Sequence, residues 1–161
     1  MKKIILSLIF AAGAFSFSQA QCSTVSSLNE NFDKWKDIDK CWKAESGEAM
    51  LYIKEGRVVF YSMMNPGENM YVATPKIAAG KYTLTFDISV NNGNATVELF
   101  SIGDTADAKS FTSISKSSEI KDGKKTYTIT LKKDVHLGIK AMLNGIHQAV
   151  YLDNLSLQAV K

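Results

Sequence analysis

Gly80-Lys-Tyr-Thr-Leu-Thr-Phe-Asp-Ile-Ser-Val90 alternates apolar and polar residues without a fault. Tyr82, Leu84, Phe86, Ile88 and Val90 fall on one side; Lys81, Thr83, Thr85, Asp87 and Ser89 fall on the other. A period of two is that of a β-strand, whose successive side chains point to opposite faces. The apolar side must lie on a core. The side of hydroxyls and a carboxylate must meet water or a ligand. Ala79-Gly80 ahead of the run and Asn91-Asn92-Gly93-Asn94 behind it carry turn chemistry.

The pattern continues in both directions. Strands read at 49–53, 57–63, 70–74, Gly80–Val90, Ala95–Ile102, 111–120, 125–131, 135–142 and 149–157, with turn signals between them such as Glu55-Gly56, Asn65-Pro66-Gly67, Asp122-Gly123 and Asn144-Gly145. Tyr127, Ile129 and Leu131 oppose Thr126, Thr128 and Thr130, and Val135, Leu137, Ile139 and Ala141 oppose outward His136, Gly138 and Lys140. In the last strand Val150 and Leu152 are followed by Leu155 and Leu157, a change of phase that a β-bulge at Asp153-Asn154 supplies. Pro66 and Pro75 both fall in connections, as sheets require. No helical period stands out after residue 44. Nine short strands with regular turns predict an all-β, antiparallel β-sandwich, with a barrel as the other way to close them.

The segment before the strands has two parts. Residues 1–20 carry Lys2-Lys3, an apolar run from Ile4 to Phe17 and the small-residue end Ser18-Gln19-Ala20, which is the build of a secretory signal peptide. A lipoprotein cut before Cys22 is disfavoured, because Gln21 is too large for the small residue that usually precedes a lipidated cysteine. The expected location is therefore periplasmic or extracellular, without membrane insertion. Removing Lys2 and Lys3 lowers the formal net charge from +3 to +1, which leaves no field for nucleic acid. Lys124-Lys125 and Lys132-Lys133 read as solvated strand ends rather than as a binding patch.

Residues 21–43 form a polar, irregular arm punctuated by Leu28, Phe32, Trp35, Ile38 and Trp42, whose aromatics are expected to cap the core of the unit at 44–161. The arm reads as a lead-in strand and loop, with room for a short helical turn. Cys22 and Cys41, the only cysteines, predict a disulfide in an exported chain. Closing that loop stabilises by about 3 kcal/mol on the chain-entropy estimate.

Three stretches resemble one family: Ala79-Gly-Lys-Tyr-Thr-Leu-Thr-Phe-Asp-Ile88, Val97-Glu-Leu-Phe-Ser101 and Val150-Tyr-Leu-Asp-Asn-Leu-Ser-Leu157. Together with Glu30-Asn-Phe-Asp-Lys-Trp35 and Cys41-Trp42, they look like the galactose-binding-like, carbohydrate-binding-module type of jelly roll found in secreted bacterial proteins. The resemblance implies the jelly-roll form of the sandwich and a non-catalytic module for carbohydrate or glycan. Many such jelly rolls carry a structural calcium; none is required here, and the matching ligands would be Glu30 or Asp33 together with Asp153. The alternative is a hydrogen-bonded Asp153 that fixes the bulge.

Sugar rings stack on aromatic faces while their hydroxyls need hydrogen bonds. Trp42, Arg57, Tyr61, Asp87 and Glu98 are the candidates of that chemistry. For Trp42 the competing reading is core capping beside the disulfide. Arg57 and Tyr61 face outward only if Val58 and Phe60 face the core, and the opposite phase would bury Val59, Tyr61 and Met63. Asp87 and Glu98, on consecutive strands, are near enough in sequence for a carboxylate pair, so glycoside hydrolysis is the third reading. Against it, the nucleophile, zinc and phosphate-loop motifs are absent from the chain, and His136 and His147 read as surface histidines. The second reading is a structural or protein-interaction component of the cell envelope, meeting an envelope or host protein. Asp104-Thr105-Ala106 resembles a short O-glycosylation acceptor of secreted bacterial proteins, with Thr105 as the modified residue.

Overall fold

The computed structural model describes residues 22–46, 50–64, 69–103 and 111–160. The expected signal segment, the Asn65-Pro66-Gly67 turn and Asp104-Thr105-Ala106 lie outside those residues. Among the described residues twelve strands are formed: β1 (Leu28–Glu30), β2 (Lys43–Glu45), β3 (Met50–Lys54), β4 (Arg57–Ser62), β5 (Asn69–Ile77), β6 (Gly80–Val90), β7 (Ala95–Ile102), β8 (Thr112–Ser113), β9 (Ser118–Glu119), β10 (Gly123–Leu131), β11 (Val135–Leu143) and β12 (Gln148–Ala159). They make two antiparallel sheets. One runs β10-β6-β12-β4-β3, with β1 added to β12; the other runs β2-β5-β11-β7-β8, with β9 added to β7. The predicted β-sandwich is therefore observed, and no described residue is helical.

The core is the layer between the sheets. Tyr82, Leu84, Phe86 and Ile88 of β6 are at most 2% exposed, and they meet Val97, Leu99, Leu137 and Ile139 of the opposite sheet in one buried cluster. Fully burying side chains of this size stabilises by roughly 1.5–3 kcal/mol each. Val58 and Phe60 belong to the same cluster, which settles the phase of β4: Arg57, Val59 and Tyr61 face outward.

Two bulges shape the sheets. In β12 the register shifts between Asp153 and Ser156, so Asn154 and Leu155 stand opposite the single residue Phe86. Asn154 takes a left-handed φ of 48°. The second bulge corrects the expectation for Pro75, which lies inside β5 rather than in a connection. There β5 places Thr74 and Pro75 opposite Leu137, where a missing N–H breaks no ladder bond. Thr74 Oγ1 accepts from the Leu137 N–H at 3.1 Å, and the Thr74 carbonyl lies 2.7 Å from His136 Nδ1. His136 is thus 7% exposed and not the surface histidine expected from its outward phase. The stretch 111–120 also differs from expectation. It is not one strand but β8 and β9, each two residues long, pairing with β7 at separate places.

The N-terminal arm supplies a strand to each sheet, β1 on β12 and β2 on β5, and contains no helical turn. Cys22 and Cys41 are joined as expected. Phe32, Trp35 and Trp42 pack edge to face with centroids 4.9–5.7 Å apart, against the core cluster. The arm also sits on the β3–β4 hairpin, whose turn residues Glu55 and Gly56 both have positive φ. A Cβ on Gly56 would come within 2.3 Å of Asp33 Oδ1.

A second apolar group covers the outer face of the β2-β5-β11-β7-β8 sheet: Tyr71, Ala73, Phe100 and Ile102, with Phe111 against them. The Phe100 ring lies over Gly138, where an added Cβ would stand 2.1 Å from it. The buried ring has no flexible end to give way. Gly138→Ala is expected to destabilise the protein by about 1–3 kcal/mol, read as a lower urea midpoint with an unchanged m value. An unaltered midpoint would show that Phe100 moves freely.

Candidate functional site

The two sheets present very different outer faces. On the β10-β6-β12-β4-β3 sheet the register places Tyr52, Val59, Tyr151 and Ser89 side by side across four strands. Tyr151 reaches this row because Val150 and Leu152 on either side of it are buried. Tyr52 does so because Leu51 and Ile53 pack on the core. Val59, flanked by the two tyrosines, is only 1% exposed and forms an apolar floor. Tyr61 lies one step further along β4, its hydroxyl 3.0 Å from His147 Nδ1. Burial pushes the Tyr52 hydroxyl above its ordinary pKa, and the nearby Tyr151 and Tyr61 hydroxyls add to the shift.

Polar groups gather beside the row. The Arg57 guanidinium lies 4.9 Å from the centroid of the Tyr151 ring and 3.2 Å from Glu55. Such a cation over a ring face contributes about 0.5–1 kcal/mol at an exposed site and holds both groups in place. Asp153 stands opposite Asp87 in the ladder, and the Asn154 amide donates to Asp87 Oδ2 at 2.8 Å. Arg57, Asp87, Ser89, Tyr151 and Asp153 line a shallow pocket of about 220 Å³. Its donors are an arginine and the hydroxyls of Ser89 and Tyr151, its acceptors are two carboxylates, and its aromatic wall is Tyr151. That combination suits a ligand rich in hydroxyls with an apolar ring face.

Burial, above all, raises the Asp153 carboxyl above its ordinary value, and the charges of Asp33 and Asp87 add to it. The Asn154 N–H and the Arg57 guanidinium oppose the shift.

Of the residues expected to bind, Arg57, Tyr61 and Asp87 share this face. Trp42 does not. It is 7% exposed, with Phe32 and Trp35 packed against it, so it caps the core. Glu98 is on the other sheet, where Lys140 is within 2.5 Å; hydrogen bonding to Lys140 holds its carboxyl below the usual range. A carboxylate pair of Asp87 and Glu98 is therefore ruled out by topology, since β6 and β7 belong to different sheets. Tyr52 and Tyr151 were missed, although each stands between two apolar residues in Leu51-Tyr-Ile53 and Val150-Tyr-Leu152.

The carboxylates expected for calcium are engaged otherwise. Glu30 Oε1 accepts the Phe32 N–H at 2.9 Å, Asp33 Oδ2 accepts the Asn31 amide at 2.9 Å, and Asp153 Oδ1 accepts the Asn154 N–H at 2.6 Å. Among the described residues no three His, Cys, Asp or Glu side chains are grouped to hold a metal ion. Calcium requires six to eight oxygens, so backbone carbonyls would have to complete any set begun by these carboxylates. The Asp153–Asn154 bond lies within the bulge, as the alternative reading has it.

No family model and no curated protein matches the chain. Solved structures do. The K3 cleaved adhesin domain of Lys-gingipain from Porphyromonas gingivalis W83 superposes with a TM-score of 0.64 at 16% identity, covering 83% of this chain and 98% of that one. The CBM22-1 xylan-binding domain from Paenibacillus barcinonensis gives 0.58 at 10% identity, covering 83% and 94%. A family 29 carbohydrate-binding module gives 0.54 at 12% identity, covering 84% and 92%.

The raised carboxyl has a consequence for stability. An acid whose folded pKa lies above its unfolded value binds its proton more readily when folded. The native state is therefore favoured at low pH, and that advantage is lost as pH rises through the folded pKa. Asp153→Asn keeps an oxygen for the Asn154 N–H and removes the charge. Its melting temperature is expected to exceed that of the unaltered protein at neutral pH, with the gap closing below about pH 4. A variant less stable at neutral pH would contradict the repulsion among Asp33, Asp87 and Asp153. The protein thus has the sandwich fold shared by carbohydrate-binding modules and gingipain adhesin domains.

Proposed function

We propose that the protein is a secreted, non-catalytic binding module that takes a carbohydrate on the outer face of the β10-β6-β12-β4-β3 sheet. The observation that carries this reading is the Tyr52-Val59-Tyr151-Ser89 row beside Arg57, Asp87 and Asp153. Sheet rigidity holds these groups before any ligand arrives, which lowers the ordering cost of binding. The similarity to a xylan-binding domain and to adhesin domains supports a binding role, and the basic, apolar leader at residues 1–20 supports export. The Asp87–Glu98 pair that glycoside hydrolysis would use is not formed, because the two residues belong to different sheets.

One observation favours a second reading, a protein-interaction component of the cell envelope that meets an envelope or host protein. Met63, Met64 and Ile146 are 49%, 75% and 59% exposed. They lie at the end of the sandwich where the His147 N–H donates to the Met63 carbonyl, next to Tyr61. Methionine-rich surfaces adapt to apolar partners.

A glycan array separates the two. The protein is expected to bind at least one glycan class, and Tyr151→Ala and Arg57→Ala are each expected to weaken binding about tenfold or more. Glu98→Gln should bind as the unaltered protein does. Binding insensitive to both face substitutions would overturn the site. A blank array together with capture of an envelope protein would replace the first reading by the second.

A further inference from the structure

Among the described residues, one side of the sandwich is open. Strand β10 ends its sheet, and among the described residues it pairs only with β6. One flank of a nine-residue strand therefore presents backbone N–H and C=O groups to solvent. Across from it, the other sheet ends in β8, only two residues long. Between these edges lies a cleft of about 460 Å³, floored by Ile114, Ile129, Leu131 and Val135. Thr112 and Thr130 stand on its walls, and Lys132 and Lys133 close one end.

We propose that this side is a second binding site, for an extended polypeptide segment with carboxylates at its ends, which adds to β10 as a further strand. Three features converge on that occupant. The strand edge offers main-chain hydrogen bonds along its length, which is how an extended peptide joins a sheet. The apolar floor takes the alternate side chains of such a segment, since every second residue points the same way. The charge is set at both ends: Lys124 and Lys125 begin β10, and Lys132 and Lys133 follow it. Residues 111–134 hold six lysines against three carboxylates. Of those carboxylates, Asp122 accepts the Val90 N–H at 3.0 Å and Asp134 accepts the Ala79 N–H at 2.9 Å, so both are directed into the fold.

The same lysines argue against a second copy. Antiparallel pairing of β10 with itself, centred on Thr128, sets Lys124 opposite Lys132 of the other copy at both ends. Like charges directly opposite one another destabilise a strand pair. An acidic segment turns each of those positions into an attraction. The site is on the side of the sandwich and shares none of the tyrosines of the glycan face, so neither reading depends on the other.

The test is an NMR titration of the 15N-labelled protein with acetyl-Glu-Glu-Thr-Val-Thr-Val-Thr-Glu-Glu-amide. Amide shifts are expected along 124–133 and 112–114. They should fade at high salt, as an interaction that uses exposed lysines requires. Proline in place of the central threonine removes an N–H and is expected to weaken binding about tenfold. Lys132→Glu with Lys133→Glu should weaken it while leaving the melting temperature unchanged, and Tyr151→Ala should leave it intact. Shifts confined to other strands, or no shifts at all, would overturn the proposal. So would a cleft that takes decanoate but not the peptide, or a protein that dimerises through β10.

Discussion

The bulge in β12 is the constraint on which the rest of the molecule depends. Without an added residue at Asn154, the alternation that buries Val150 and Leu152 would turn Leu155 and Leu157 to solvent. With it, all four lie at 0% exposure in one core. The bulge is expensive locally, because Asn154 is held in the left-handed region. Two short hydrogen bonds offset that cost: the Asn154 N–H to Asp153, and the Asn154 amide to Asp87. Since β12 is the central strand of its sheet, flanked by β6 and β4, any slip in its register would carry both neighbours with it.

The same feature makes the candidate site. By fixing the phase of β12, it points Tyr151 and Asp153 outward together, between Arg57 on one side and Asp87 and Ser89 on the other. The carboxylates that hold the bulge are also those of the candidate site, where burial first, and then the charges of Asp33 and Asp87, raise the Asp153 carboxyl. Stability and the proposed recognition therefore draw on one set of side chains. Among the described residues the opposite sheet shows no comparable face: Tyr71, Phe100 and Phe111 pack on one another there and Glu98 is paired with Lys140.

Strands with strong alternation were legible in the sequence. Gly80–Val90 forms β6 with the bounds read from its pattern, and the change of phase at Asp153-Asn154 located the bulge. What alternation cannot give is which strand lies beside which. Asp87 and Glu98 are close in sequence but on different sheets, so their pairing was a topological error rather than a chemical one. Pro75 was misplaced because a bulge excuses a proline that an unbroken ladder would reject. His136 was misread because outward phase does not mean exposure once other segments cover a face. The tyrosine row needed register across four strands, which no single stretch of sequence contains. Trp42 was drawn toward two roles, and its packing against Phe32 and Trp35 gave it the structural one.

The most direct test of the account is a side-chain NMR titration with a glycan that the array identifies. Ring resonances of Tyr52 and Tyr151 are predicted to shift with the bound fraction, together with the Arg57 side chain, while the Trp42 indole stays in place. Shifts centred on Trp42 or Glu98, with the tyrosine row unmoved, would contradict the assignment of the binding face.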